Sequence, residues 1–270
     1  MVPDDKSHQI RDAADAVKGL VEAVPVYQDV LQPAAKEIGK GLATVAKTIH
    51  VVLAPVAGLV WGYEKMSDYL SEALSKRLKD VPPERIVTPQ LTIAGPALDA
   101  MRYAGPDPEL RELYANILAR AMDAKTAHQA HPAFVEILKQ ITPDEARILR
   151  LVAEHDTFPL VSVRSAQSDG SYVWILHHFG LLGEQAGCAV PGLAGTYLDN
   201  LSRLGIVVID EDRRDAAPNA YDPLHAHPAV QEAVNLAGGE GRTSMGIDDE
   251  LLMVTELGRQ FCDAVVKALP

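Results

Sequence analysis

The chain has 270 residues, of which 47% are apolar and 23% charged, proportions that match an ordinary folded protein and exclude a disordered or fibrous one. A net charge of -12 with only 5% aromatic residues argues against a surface that grips nucleic-acid phosphates or stacks on bases. That acidity is uneven: residues 1–140 carry 16 basic and 18 acidic side chains, whereas residues 141–270 carry 9 and 19.

The length approaches the limit of a single hydrophobic core, so more than one compact region is expected. Cys188 and Cys262 are the two cysteines, and neither has a partner at zinc-like or redox-like spacing. The opening residues are polar and lack a basic start followed by an apolar stretch, so the expected location is the cytoplasm.

In chain order, residues 1–40 read as a helical arm interrupted by Pro25 and Pro33. Residues 42–63 form the most apolar stretch, with no charged side chain from Thr48 to Tyr63. This uncharged run is shorter than the roughly 20 residues of a spanning helix and contains His50 and Pro55. A helix buried in the fold and kinked at Pro55 is one reading, and a helix that lies on or enters a membrane is the other.

From Lys65 to Val81, Met66, Tyr69, Leu70, Leu74 and Leu78 recur at three- and four-residue steps and predict a helix with one buried stripe. Asp107 before Pro108 predicts a capped helix start, followed by Leu110, Leu113, Tyr114, Ile117, Leu118, Ala121 and Met122 on one wide face. Pro132 opens another helix, and Thr142-Pro143-Asp144-Glu145 has the form of a capping box ahead of Ile148, Leu149 and Val152.

After His155 the pattern changes. Phe158–Val163 is β-compatible, residues 167–171 read as a polar turn, residues 191–204 as a helix ended by Gly205, and Ile206–Ile209 as a short strand. The charged stretch 210–222 reads as loop, Leu251–Val254 as a returning strand, and Thr255 as the cap of a last helix. The expected fold is therefore mainly α. An arm at 1–40 leads to a helical bundle at 41–156 and then a smaller α+β region at 157–270, whose helix, strand, loop, strand and helix order resembles a winged-helix domain.

The wording of Ile93-Ala94-Gly95-Pro96-Ala97-Leu98, of Pro108 to Leu118 and of His131 to Gln140 is itself distinctive. It resembles the abortive-infection alpha family of bacterial proteins, over roughly residues 40–265. The resemblance implies a part in defence against phage, and it brings no catalytic motif, substrate or cofactor with it.

The chemistry-bearing residues give little direction. No phosphate loop, dinucleotide fingerprint, nucleophile elbow or zincin helix is present. His128, His131 and Asp123 could share a metal, but Pro132 interrupts the segment and a capping role is the expected one. Adjacent residues of a regular strand or helix point apart, so His177 and His178 are not expected to converge, and His225 and His227 fall in a loop. Arg150 and His155 have the spacing used by some helical ribonuclease toxins, a coincidence expected about once in a chain of this composition. Accordingly no catalytic, cofactor-binding or metal-ligating residue is assigned. The expected role is a non-catalytic defence component acting through a protein partner or self-association, with nucleic acid disfavoured. A membrane-active effector using residues 42–63 and a ribonuclease using Arg150 and His155 are the alternatives.

Overall fold

A computed structural model describes residues 63–166, 169, 171–238 and 244–269. Both the arm at 1–40 and nearly all of the apolar stretch at 42–63 lie outside these residues. Among the described residues, no helix is long and apolar enough to cross a membrane.

The first half is helical, as its periodicity predicts. Helix α1 (Tyr63–Leu78) buries Met66, Leu70, Leu74 and Leu78. It packs on α3 (Pro108–Met122), which also carries α2 (Leu91–Ala104) on its flank. The carboxylate of Asp107 accepts hydrogen bonds from the backbone N–H groups of Glu109 and Leu110 at 2.9 and 3.1 Å, satisfying two of the free donors of α3. Helices α4 (Pro132–Leu138) and α5 (Pro143–Val152) follow. In α5 the capping box is complete: Thr142 Oγ1 accepts from Glu145 N–H, and Glu145 accepts from Thr142 N–H.

The second half is organised by a sheet. Strands β1 (Thr157–Ala166) and β2 (Tyr172–Phe179) are followed by a single helical turn, α6 (Leu182–Gln185), and by α7 (Ala194–Arg203). Strand β3 (Val207–Asp210) precedes α8 (Asp222–His225), α9 (Pro228–Ala237) and β4 (Ser244–Val254). The antiparallel strand order is β2-β1-β4-β3. The chain closes with α10 (Glu256–Phe261), capped by Thr255, and a wider π turn from Cys262 to Val266.

This corrects the mainly α expectation of a helical bundle with a small winged-helix-like appendage. The protein is mixed α+β, with a four-stranded antiparallel sheet in which β1 and β4 are 10 and 11 residues long. The sequence anticipates β4 only over Leu251–Val254 and does not anticipate β2, for physical reasons. Asp248, Asp249 and Glu250 gave β4 the look of a charged loop, although register with β1 extends through all three. In β2, two departures from regular register obscure the alternation expected of a strand. Helix α9 is a further addition, since no element is expected over residues 228–237.

Each face of the sheet has its own cover. Phe158, Leu160, Leu252 and Val254 join the cluster formed by the helices of the first half together with Leu198, Leu201, Phe261 and Val265. Val161 and Val163, on the opposite face of β1, pack with Tyr221, Leu224, Val230 and Ala233 of the α8–α9 segment.

The last turns return to the helical half. Phe261 meets Phe134 edge to face, with ring centroids 5.5 Å apart. Asn116 Nδ2 donates to the carbonyl of Val265 at 2.8 Å, and the Arg120 guanidinium donates to those of Lys267 and Ala268 at 3.3 Å. Helix α10 fits against β3 because Gly258 lacks a side chain: a Cβ there would stand 2.0 Å from the Ile206 carbonyl oxygen.

Candidate functional site

Most of the residues singled out by sequence have local partners. Asp123 is held by Arg85, in an ion pair, and by Lys125 N–H at 2.9 Å, while His131 Nδ1 caps α4 by accepting from Ala133 N–H at 3.1 Å. His225 lies 2.7 Å from Asp249, and His227 lies 3.1 Å from Glu184 and caps α9. Arg150 pairs with Glu109. His155 instead sets its ring edge to face against Phe158 and edges a cavity of about 220 Å³ that Arg150 does not line. Within that cavity Arg259 pairs with Asp156 at 3.2 Å, and Lys267 with Asp263 at 2.8 Å, so its charges are largely matched.

A different outcome holds at His177 and His178. In β1–β2 pairing, Val161 opposes Phe179 and Val163 opposes Leu176, so Ser162 alone faces two residues, His177 and His178. This is a β-bulge, which breaks alternation and re-aims side chains. His178 takes up the extra length with a φ of 50°, a left-handed conformation that non-glycine residues adopt at a cost. As a result the two imidazoles stack, with centroids 3.6 Å apart, instead of pointing apart. Trp174 stacks on the far side of His177 at 4.7 Å.

Three further elements complete the cluster. Strand β1 supplies Ser162, fully buried, whose hydroxyl accepts a hydrogen bond from His178 N–H at 2.9 Å. Helix α7 supplies Asp199, whose carboxylate lies 2.7 Å from His178 Nδ1. The approach of α7 depends on Gly195, because a Cβ at that position would stand 2.7 Å from the His177 carbonyl oxygen. Asp199 follows one helical turn later, on the same side of the helix.

Strand β4 supplies Glu250 from behind. Its carboxylate is 0% exposed and lies 3.8 Å from His178 Nε2. Neither carboxylate oxygen has a well-formed hydrogen bond, and the Ser162 hydroxyl offsets its burial only in part. Burial pushes the Glu250 carboxyl above its usual range, against the opposing influence of the Ser162 hydroxyl and His178, and the charges of Glu211 and Asp248 add to the rise. Burial also lowers the basicity of His177, helped by the neighbouring His178, which favours the neutral imidazole.

One ligand atom each from His177, His178 and Asp199 can be chosen so that all three lie within 4.8 Å of one another. Two imidazoles and a carboxylate at that spacing can hold a divalent cation or pass a proton. Sequence reasoning missed Asp199, Glu250, Ser162 and Gly195. They come from three separate elements, β1, α7 and β4, and a bulge leaves no spacing signature in the strand that carries it.

Comparison with known proteins adds a family. The family model described as abortive infection alpha matches residues 62–265. No curated protein matches the chain. One solved structure, of an uncharacterized protein from the hydrocarbon-degrading marine bacterium Alcanivorax borkumensis SK2, is 21% identical to it with a TM-score of 0.37. That alignment covers 50% of this chain and 93% of the other.

Proposed function

The chain belongs to the abortive infection alpha family, and from that membership we propose that it is a component of a bacterial response to phage that acts through contacts with a protein partner. The match over residues 62–265 carries the first part of the reading, since it takes in nearly all of the described fold. Contact with a partner is supported by one surface feature. Tyr172, Val173 and Met245 are exposed side chains at one end of the sheet, Val173 and Met245 on the face of Ser165 and Tyr172 on the opposite face with Arg164. Apolar side chains gathered at a strand end on an otherwise acidic half suit a contact surface. Arg164 lies over the Tyr172 ring at 5.4 Å and gives the patch a polar rim.

The test is a plaque assay across a broad phage panel, with cells expressing the chain, cells lacking it, and cells expressing a Tyr172→Asp/Val173→Asp variant. Plating efficiency should fall with the chain for at least part of the panel and recover with the variant. Equal plating with and without the chain removes the defence role, and full protection by the variant removes the contact surface. Breakage of cellular RNA that disappeared in Arg150→Ala or His155→Ala would replace the contact reading with a ribonuclease.

A further inference from the structure

The polar cluster behind the β-bulge has two features that cost stability. His178 occupies a left-handed backbone conformation. Behind it the fully buried Glu250 carboxylate has no well-formed hydrogen bond, with only the Ser162 hydroxyl and His178 to offset its burial. Backbone strain at a non-glycine residue and a poorly satisfied buried polar group each cost stability. Strain and an under-partnered acid at the same histidine, beside three converging donor atoms, point to a ligand that they serve.

We propose that His177, His178 and Asp199 bind a divalent transition-metal ion of the zinc class, with Glu250 as the carboxylate that orients His178 from behind. Imidazole nitrogen selects borderline ions such as zinc over magnesium or calcium, which take oxygen donors. A zinc ion with bonds of about 2.0–2.1 Å needs donor atoms about 3.3 Å apart. The three side chains already lie within 4.8 Å, and Asp199 and His178 Nδ1 at 2.7 Å have only to part slightly to admit the ion.

The two nitrogens of His178 then have distinct tasks. Nδ1 faces Asp199 and the ion, while Nε2 faces Glu250 at 3.8 Å and can donate its proton there as the gap closes. A histidine that gives one nitrogen to a metal commonly gives the other N–H to a carboxylate, which fixes the ring and raises its donor strength. The charges also balance: two carboxylates and two neutral imidazoles match one doubly charged cation. Three protein ligands leave at least one position on the solvent side, where Asp199 is exposed, for water or a further ligand. The inference is independent of any part in phage defence, because it can be read on the isolated protein.

The experiment is titration of chelator-treated, tag-free full-length protein with Co²⁺, followed by visible absorption and then by displacement with Zn²⁺. The expected result is saturation at one ion per chain with ligand-field bands of a low-coordinate site. The bands should vanish in His177→Ala and in Asp199→Asn, variants of partly exposed side chains whose fold is checked by circular dichroism. In Glu250→Gln the bands should persist with affinity reduced about 10- to 100-fold, the usual effect of losing a carboxylate behind a liganding histidine. Absence of saturable binding, or binding that survives in the His177→Ala/Asp199→Asn double variant, overturns the site. Unchanged affinity in Glu250→Gln overturns the role given to Glu250.

Discussion

Two buried carboxylates, one at the start of a helix and one in the sheet, show opposite ways of placing a negative charge in a protein. Asp144, in the first turn of α5, is 6% exposed. It accepts from Ala189 N–H at 2.8 Å, from Val190 N–H and Tyr197 O–H at 3.1 Å, and from Arg147. Burial disfavours the Asp144 anion, yet these donors outweigh it and hold the carboxyl below its usual range. Glu250, in β4, is 0% exposed and has no well-formed hydrogen bond, and burial pushes it up against the weaker pull of the Ser162 hydroxyl and His178. Full burial alone therefore says little; the donors that surround a carboxylate decide whether it holds the fold together or waits for a ligand.

Removing Asp144 tests one side of that contrast and should have the largest effect. Asp144→Ala leaves two backbone donors, a tyrosine hydroxyl and a guanidinium without their acceptor, and should cost about 3–5 kcal/mol in urea denaturation. A loss under about 1 kcal/mol would mean that water replaces the carboxylate, and the contrast would collapse.

Disturbing the route by which α7 reaches the bulge comes next. Gly195→Ala sets a Cβ against the backbone carbonyl of His177, which cannot swing aside as a flexible side chain would. The helix must shift, and the expected loss is about 1–3 kcal/mol by the same denaturation measurement. A neutral result would show that α7 sits loosely over β2.

At Glu250 the smallest change should run the other way. Glu250→Gln keeps the shape and removes a charge that burial disfavours, so the metal-free protein should gain about 1–2 kcal/mol at neutral pH. The sign follows from linkage. A carboxyl whose folded pKa is raised contributes stability that is fully present below its unfolded pKa and is lost as pH rises through the folded value, so the gain should fade on acidification. Asp144 has the reverse slope: its folded pKa is depressed, so its contribution is present above the unfolded pKa and is lost as pH falls through the folded value. Denaturation of wild type and Glu250→Gln from weakly acid to neutral pH checks this, and a gain that grows toward acid contradicts it.

How far the sequence reveals these features depends on the distance over which they are made. The cap at Asp107 and the capping box at Thr142 and Glu145 were legible because donor and acceptor lie within three residues. The same local logic found the stripe of α1 and the glycine after α7, Gly205, with a φ of 77°. It found β4 only at Leu251–Val254 and failed over residues 244–250, where three consecutive acids are tolerated because the strand places them in different surroundings. Asp248 pairs with Arg164 at 2.8 Å, Asp249 pairs with His225 at 2.7 Å, and Glu250 is buried behind His178. Nothing in the Asp-Asp-Glu run announces those three fates. At His177 and His178, strand alternation gave the wrong geometry because one residue of β1 faces two of β2.

The clasp between α3 and the last helical turns bears on how the protein is made. Asn116 and Arg120 reach carbonyls that lie 147 to 150 residues further along the chain, and Phe134 waits for Phe261. A nascent chain emerging from the ribosome therefore exposes part of its helical interior until residues 256–268 have been synthesised. Contacts of such long sequence separation slow folding and leave sticky surface open in the interval. Closing the first half of the molecule with the end of the second thus leaves that interior unsheltered for most of synthesis.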